Sequence, residues 1–284
     1  MKRVFAISGN QLSMSASRWL LGMLLAGLAA TSALAQATSE QIAARGRIDV
    51  ATEDDFKPFE FFENGKATGF DTELLELVKK KLAPIDVKQQ FMPWPGILPG
   101  VVTGKYDAAV TAVLVTSERK GTFTFTTPVA ESTTFYAFKK GAAIESADAL
   151  RGKVVGVQTG SGMLGDLKAF DAQLKAANGT GIKQIVEYTS YPEAYQDLAL
   201  GRVDAVANTR INLNSLTETR PGVFVIGQKI GNPVYIAWAV KKGHAGAFPM
   251  MNKALLELRA SGDLYRLQKK WFGATFESMP QDIN

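Results

Sequence analysis

The chain has no cysteine and a single histidine among its 284 residues. Without cysteine there is no disulfide framework, no thiolate nucleophile and no lipid-bearing cysteine to anchor an exported chain. With one histidine, Ser-His-Asp machinery and His/Cys metal clusters would all rest on His244. That residue sits in Lys241-Lys242-Gly243-His244-Ala245-Gly246, a loop whose lysines and glycines mark it as exposed. There is no G-x-G-x-x-G or Walker-type loop, and no basic run interleaved with aromatics. Nucleotide cofactors and nucleic-acid partners therefore have no support. The neighbouring acids Glu53-Asp54-Asp55 read first as a solvated turn. No catalytic residue, metal or cofactor is expected.

Long apolar runs are equally scarce. The one clear run, residues 19–30, follows Lys2, Arg3 and Arg18 and precedes Ala33-Leu34-Ala35. A basic start, a short apolar centre and an A-x-A ending describe a secretory signal peptide over residues 1–35, with cleavage before Gln36. The run is too short to span a bilayer comfortably. The mature chain is thus expected to be soluble, to lie outside the membrane and to be a monomer. Loss of the three leader cations lowers the formal net charge from +5 to +2. An export signal with no lipid-anchoring cysteine points to the periplasm of a two-membrane bacterium.

What the chain does have is an internal echo. Residues 94–108, WPGILPGVVTGKYDA, return 97 positions later as residues 191–205, YPEAYQDLALGRVDA. Each copy opens on an aromatic–Pro pair (Trp94-Pro95, Tyr191-Pro192). Each then reaches glycine, a cation and Asp-Ala (Gly104, Lys105, Asp107-Ala108; Gly201, Arg202, Asp204-Ala205) before an apolar run. Each reads as a helix stopped by glycine, a turn and a buried strand. Two copies are too few for a solenoid, so they imply two similar α/β lobes facing each other. Two coincidental helix-turn-strand units are the alternative.

Further signals fill in the order. Residues 47–51 read as a buried strand, and 59–62 with 67–70 as a hairpin turning at Asn64-Gly65. Asp71 is placed to cap a helix whose Leu74, Val78 and Leu82 share one face. Strands follow near 87–91, 152–157 and 223–226, with a small-residue linker at 141–148, and helix returns from Ala254 to Trp271. Alternating strands and helices argue for mostly parallel sheets. The chain is expected to cross between lobes near 131–135 and 228–234. That gives lobe one residues 36–131 plus 230–284, and lobe two residues 132–229, joined by two hinge strands.

Ligands in open α/β sheets sit beyond the carboxyl ends of strands. That rule selects the residues after Val50, Val110, Val157 and Ala207. Thr116-Ser117-Glu118-Arg119 follows one such strand, where a guanidinium can clamp a carboxylate through two parallel hydrogen bonds. Gly160-Ser161-Gly162 follows another, with backbone N–H groups free for an anion at a helix start.

These pieces resemble the periplasmic solute-binding proteins of ABC importers, specifically the polar amino-acid-binding family (family 3). The resemblance runs through Pro58-Phe59-Glu60-Phe61, Gly69-Phe70-Asp71, the Gly-Lys-x-Asp-Ala turn, Thr116 to Arg119, and Phe125 with Pro128. It continues through Gly152-Lys153-Val154-Val155-Gly156-Val157 and Gly262-Asp263-Leu264-Tyr265 to Lys270-Trp271-Phe272-Gly273. It implies a type II periplasmic binding protein-like fold and non-enzymatic capture of an amino-acid-like solute for an ABC permease. By the same resemblance, Arg119 grips the ligand carboxylate with help from Thr111, Ala112 and Leu114. Phe56 and Trp94 wall the pocket, and Glu53 occupies a position that is acidic in several basic or amide amino-acid binders. Gln158, Ser161, Gly162, Asn208 and Thr209 face the ligand from lobe two. Two positions depart from the family pattern: Leu114 stands where many relatives carry Ser or Thr, and Thr209 where an aspartate usually meets the ligand ammonium. Two other readings stay open. One is an exported cyclohexadienyl or arogenate dehydratase-like enzyme with Glu53 as its acid; the other is a ligand-sensing subunit for a receptor.

Overall fold

Burial sets the order of elements. A computed structural model describes residues 38–284 except Glu145, His244 and Ala245. The expected leader, its cleavage position and His244 lie outside the described residues. The described residues begin with α1 (Ser39–Arg45), β1 (Arg47–Glu53), the hairpin β2 (Phe61–Glu63) and β3 (Lys66–Thr68), α2 (Phe70–Leu82) and β4 (Asp86–Met92). It continues α3 (Ile97–Val102), β5 (Ala108–Leu114), α4 (Ser117–Thr122), β6 (Phe123–Phe125), β7 (Ala130–Ser132) and β8 (Thr134–Lys139). Then come β9 (Val154–Gln158), α5 (Gly162–Asn178), β10 (Gln184–Tyr188), α6 (Tyr191–Leu200), β11 (Ala205–Thr209) and α7 (Arg210–Thr219). The last elements are β12 (Phe224–Lys229), β13 (Val234–Lys241), α8 (Phe248–Ala260) and α9 (Asp263–Phe272). No described helix is long and apolar enough to cross a membrane.

Apart from the β2-β3 hairpin, the described strands form two sheets. One runs β4-β1-β5-β13-β6 with β7 beside β13; the other runs β10-β9-β11-β8-β12. Strand β5 shows why such segments read as unbroken apolar runs. Its Ala108, Val110, Ala112 and Leu114 pack into one cluster, and Ala109 and Val113 into another on the opposite face. A strand covered on both faces loses its polar alternation.

The sheets are mixed, which corrects the expectation of mostly parallel ones. Parallel pairing is confined to β4-β1-β5 and β10-β9-β11. Strand β13 pairs antiparallel with β5, β6 and β7, and β8 antiparallel with β11 and β12. The antiparallel strands β8 and β13 are the two that carry the chain between sheets: β8 follows β7 after one residue and β13 follows β12 after four, each entering directly from the other sheet.

The echoed Asp-Ala pairs do the same work in both sheets. The Asp107 N–H donates to the Asp49 carbonyl while the Asp49 N–H donates to the Asp107 carboxylate, both at 2.7 Å. Asp204 and Val154 repeat the exchange, both at 2.8 Å. In each case the aspartate satisfies an N–H on the neighbouring parallel strand, so the echo is structural. Asp204→Ala is expected to cost about 1–2 kcal/mol by stranding the Val154 donor. An unchanged urea midpoint would contradict this.

Two local readings change. Asp71 does not cap α2: the N-cap is Gly69 with no side-chain bond, and Asp71 is the buried second residue of the first turn. Its Oδ1 accepts from Trp238 Nε1 at 2.7 Å. Gly69 has φ +117°, and a Cβ there would stand 2.3 Å from the Phe59 carbonyl oxygen, so no side chain fits. The stretch 141–148 is also less free than a linker: Ile144 is buried and its carbonyl accepts from the Tyr136 hydroxyl at 3.1 Å.

Candidate functional site

Four parallel strands finish on residues singled out from the sequence. Strand β1 ends at Glu53, β5 at Leu114, β9 at Gln158 and β11 at Thr209. The two sheets meet there through named bonds. Gln158 Nε2 donates to Glu53 Oε1 at 2.5 Å and to the Thr189 carbonyl at 3.3 Å. Burial drives Glu53 up to about 8, against the pull of the Gln158 bond, and the Asp54 and Asp55 charges add to the rise. At neutral pH its carboxyl therefore holds a proton.

Arg119 lies in α4, whose N-cap Thr116 accepts from the Arg119 N–H at 3.2 Å. That cap orients the side chain. Nη1 donates to the Leu114 carbonyl at 2.8 Å and Nη2 to the Gly160 carbonyl at 3.1 Å, so one guanidinium bridges the ends of both sheets. Its carbon sits 5.2 Å from the Trp94 ring centroid, a cation–π distance. Burial lowers its pKa to about 10, and it remains charged at neutral pH. Beside it Ser161 caps α5, accepting from the Leu164 N–H at 3.2 Å. Leu114 packs so closely on Gly162 that a Cβ at residue 162 would meet it at 3.0 Å.

The sequence-selected residues divide between two cavities. Phe56 and Asn208, with Asp55, Tyr191, Tyr195 and Asn212, line one of about 270 Å³. Arg119, Ser161 and Gly162, with Thr116 and Asp166, line another of about 650 Å³. Glu53, Trp94, Thr111, Ala112, Leu114, Gln158 and Thr209 line neither and are buried. Thr111 donates its hydroxyl to Glu60. Asn208 Nδ2 donates to the Tyr195 hydroxyl at 2.7 Å, and its Oδ1 accepts from the Thr209 N–H at 2.7 Å. Thr209 caps α7 and bonds Asn212, which in turn donates to the Lys57 carbonyl at 2.7 Å from the other sheet's side.

Phe56 and Trp94 meet different partners. Trp94 carries the Arg119 guanidinium, whereas the Phe56 ring lies between Phe59 at 5.9 Å and Tyr191 at 5.6 Å. Tyr191, Tyr195, Glu60 and Asn212 are not among the site residues expected from the sequence. For Tyr191 a signal was present, because it opens the second copy of the echo where Trp94 opens the first.

A family description, bacterial extracellular solute-binding proteins, family 3, matches residues 48–274. The chain belongs to this family. The solute-binding protein is similar to the probable amino-acid-binding protein YxeM of Bacillus subtilis (strain 168): 33% identical, over 91% of this chain and 96% of that one. It is 30% identical to the L-cystine-binding protein TcyJ of Escherichia coli (strain K12), over 88% and 92% of the two chains. An ancestral arginine-binding protein bound to arginine superposes with a TM-score of 0.73 at 33% identity, over 81% and 99%. The ancestral amino acid-binding protein AncCDT-1, a precursor of cyclohexadienyl dehydratase, gives 0.72 at 28%, over 83% and 100%.

Proposed function

We propose that this solute-binding protein captures an amino acid or amino-acid-derived solute in the periplasm and delivers it to an ABC permease. Lobe one (36–131 and 230–284) and lobe two (132–229) close on the solute as a monomer, with β7–β8 and β12–β13 as the flexing passages. Hinge closure of this kind shifts an open–closed population and needs no bond chemistry. The observation that carries the reading is Arg119. Its guanidinium stands between the Leu114 and Gly160 carbonyls, over Trp94 and beside the N-terminal end of α5. A solute carboxylate arriving there meets a charged fork and helix-end N–H groups together. Relatives named for amino acids, cystine and arginine support the solute class.

A thermal-shift screen of residues 36–284 tests this, with amino acids, opines, amines and small carboxylates. A micromolar solute at millimolar dose stabilises the fold by roughly 4 kcal/mol. Silence from every carboxylate-bearing compound would sink the proposal. Thr209→Asp keeps an N-cap on α7 and restores an acid beside the site. It is expected to improve binding of plain α-amino acids about tenfold or more by pairing their ammonium, as isothermal titration would read. No gain for any amino acid would remove Thr209 from the site.

One observation favours a second reading. Glu53 is a buried carboxylic acid still protonated near pH 7, a property of general acids. Steady conversion of prephenate or arogenate, lost in Glu53→Gln, would establish a dehydratase; no turnover leaves capture alone.

A further inference from the structure

Beneath the cleft lie two acids that solute capture does not use. Glu60 and Asp71 are both fully buried, and neither has a salt bridge among the described residues. One oxygen of each is satisfied: Glu60 Oε1 accepts from the Thr111 hydroxyl, and Asp71 Oδ1 from Trp238 Nε1. The other two, Glu60 Oε2 and Asp71 Oδ2, are buried and meet no donor. The two carboxyls stand within side-chain hydrogen-bonding reach of each other. Two dry carboxylates side by side repel strongly, whereas a single proton between them satisfies both orphan oxygens.

We propose that Glu60 and Asp71 hold one proton between them at neutral pH, donated by Glu60 Oε2 to Asp71 Oδ2. Glu60 thereby acts as a positioning residue for Phe56 and Thr111. The proton belongs on Glu60 because Asp71 is the second residue of α2, where the helix dipole favours negative charge. Each acid has one neutral donor, the Trp238 indole for Asp71 and the Thr111 hydroxyl for Glu60, but Glu60 lies in no helix and also faces Glu53. The titratable groups facing it are Asp71 from α2 and Glu53 from β1, while Thr111 from β5 is neutral and so is the Trp238 indole that reaches Asp71 from β13. In keeping with this, burial and the facing acids hold Glu60 well above the usual carboxyl range, and burial lifts Asp71 only to about 6.

Positioning runs through two sets of bonds. The Phe56 N–H donates to the Glu60 carbonyl at 2.7 Å and the Glu60 N–H donates to the Phe56 carbonyl at 3.3 Å. The Glu60 carboxyl holds the Thr111 hydroxyl. The pair therefore ties the Phe56 loop and β5 to α2 and β13. The link to capture rests on the reading of Phe56 and Thr111 as cleft residues; the proton does not.

The test is a pH titration of the purified protein with carboxyl-carbon labels on Glu and Asp, followed by NMR. Two glutamate carboxyls, those of Glu53 and Glu60, should keep their protonated shifts through pH 7, and one of the two should be missing from Glu60→Gln. The Thr111 methyl and Phe56 ring resonances should move with that carboxyl's midpoint in the wild type. In Glu60→Gln they should stay flat, because the amide keeps both the acceptor for Thr111 and a donor for Asp71. If Glu60→Gln fails to fold, Asp71→Asn serves instead, and the glutamate midpoint should fall by about one pH unit or more as the facing charge is removed. A Glu60 carboxyl that titrates in the ordinary range overturns the shared proton. Thr111 and Phe56 signals indifferent to the midpoint overturn the positioning role. A failed Arg119 clamp, read by calorimetry with a carboxylate solute, would leave this titration unchanged.

Discussion

Arg119→Ala is expected to weaken binding of any carboxylate-bearing solute by about 3 kcal/mol or more, roughly two orders of magnitude, as isothermal titration would read. The size follows from stranding: a solute carboxylate drawn into a buried cleft without its guanidinium keeps its desolvation cost and loses its partner. The substitution also removes donors from the Leu114 and Gly160 carbonyls and uncovers the Trp94 ring. Arg119→Lys separates charge from geometry. A single ammonium keeps the charge but cannot reach two carbonyls in a fixed fork, so it should recover only part of the loss. A loss below about 1 kcal/mol in Arg119→Ala would move the carboxylate site elsewhere.

The second large effect concerns pH. Glu53 rises from the ordinary carboxyl range to about 8 in the folded protein, chiefly because burial disfavours its charged form. A raised folded-state pKa means the native state binds the extra proton. Its stabilising contribution is complete below the unfolded value near 4.5, and is lost as pH climbs through about 8. Between pH 5 and pH 9 the wild type should therefore lose on the order of 3 kcal/mol more stability than Glu53→Gln. Each tenfold change in proton affinity is worth about 1.4 kcal/mol, and relaxation of the site absorbs part of the total. The glutamine keeps an oxygen for the Gln158 amide, so the cross-sheet bond survives in the variant. Glu60 and Asp71 slope the same way in both proteins. Parallel urea-stability profiles for the two proteins would show that Glu53 ionises at an ordinary pH.

Much of the architecture was legible because its signals are local. The echo with its glycine stop and Asp-Ala pair marks β5 and β11 as equivalent strands, and the hydrogen-bond exchanges of Asp107 and Asp204 give the physical cause. The hairpin turn at Asn64-Gly65 and the apolar face of α2 needed only neighbouring residues. The direction of β8 and β13 was not legible. It depends on which sheet a strand enters, and the spacing of apolar residues carries no such information. Asp71 shows the same limit. Its place near a helix start predicts a cap, yet its partner is Trp238, 167 positions away.

At the site, sequence alone determined that Arg119 follows a strand end, that Ser161-Gly162 opens a helix, and that position 114 offers no side-chain hydroxyl and position 209 no carboxylate. Tertiary structure decided who meets whom. It set Glu53 against Gln158 across 105 positions, Arg119 against Gly160 across 41, and Glu60 against Asp71 with no cation between them. The division has one cause. Helix, turn and strand signals arise from steric and hydrogen-bonding preferences within a few residues. Protonation and charge pairing depend on desolvation and on neighbours that only the folded chain brings together.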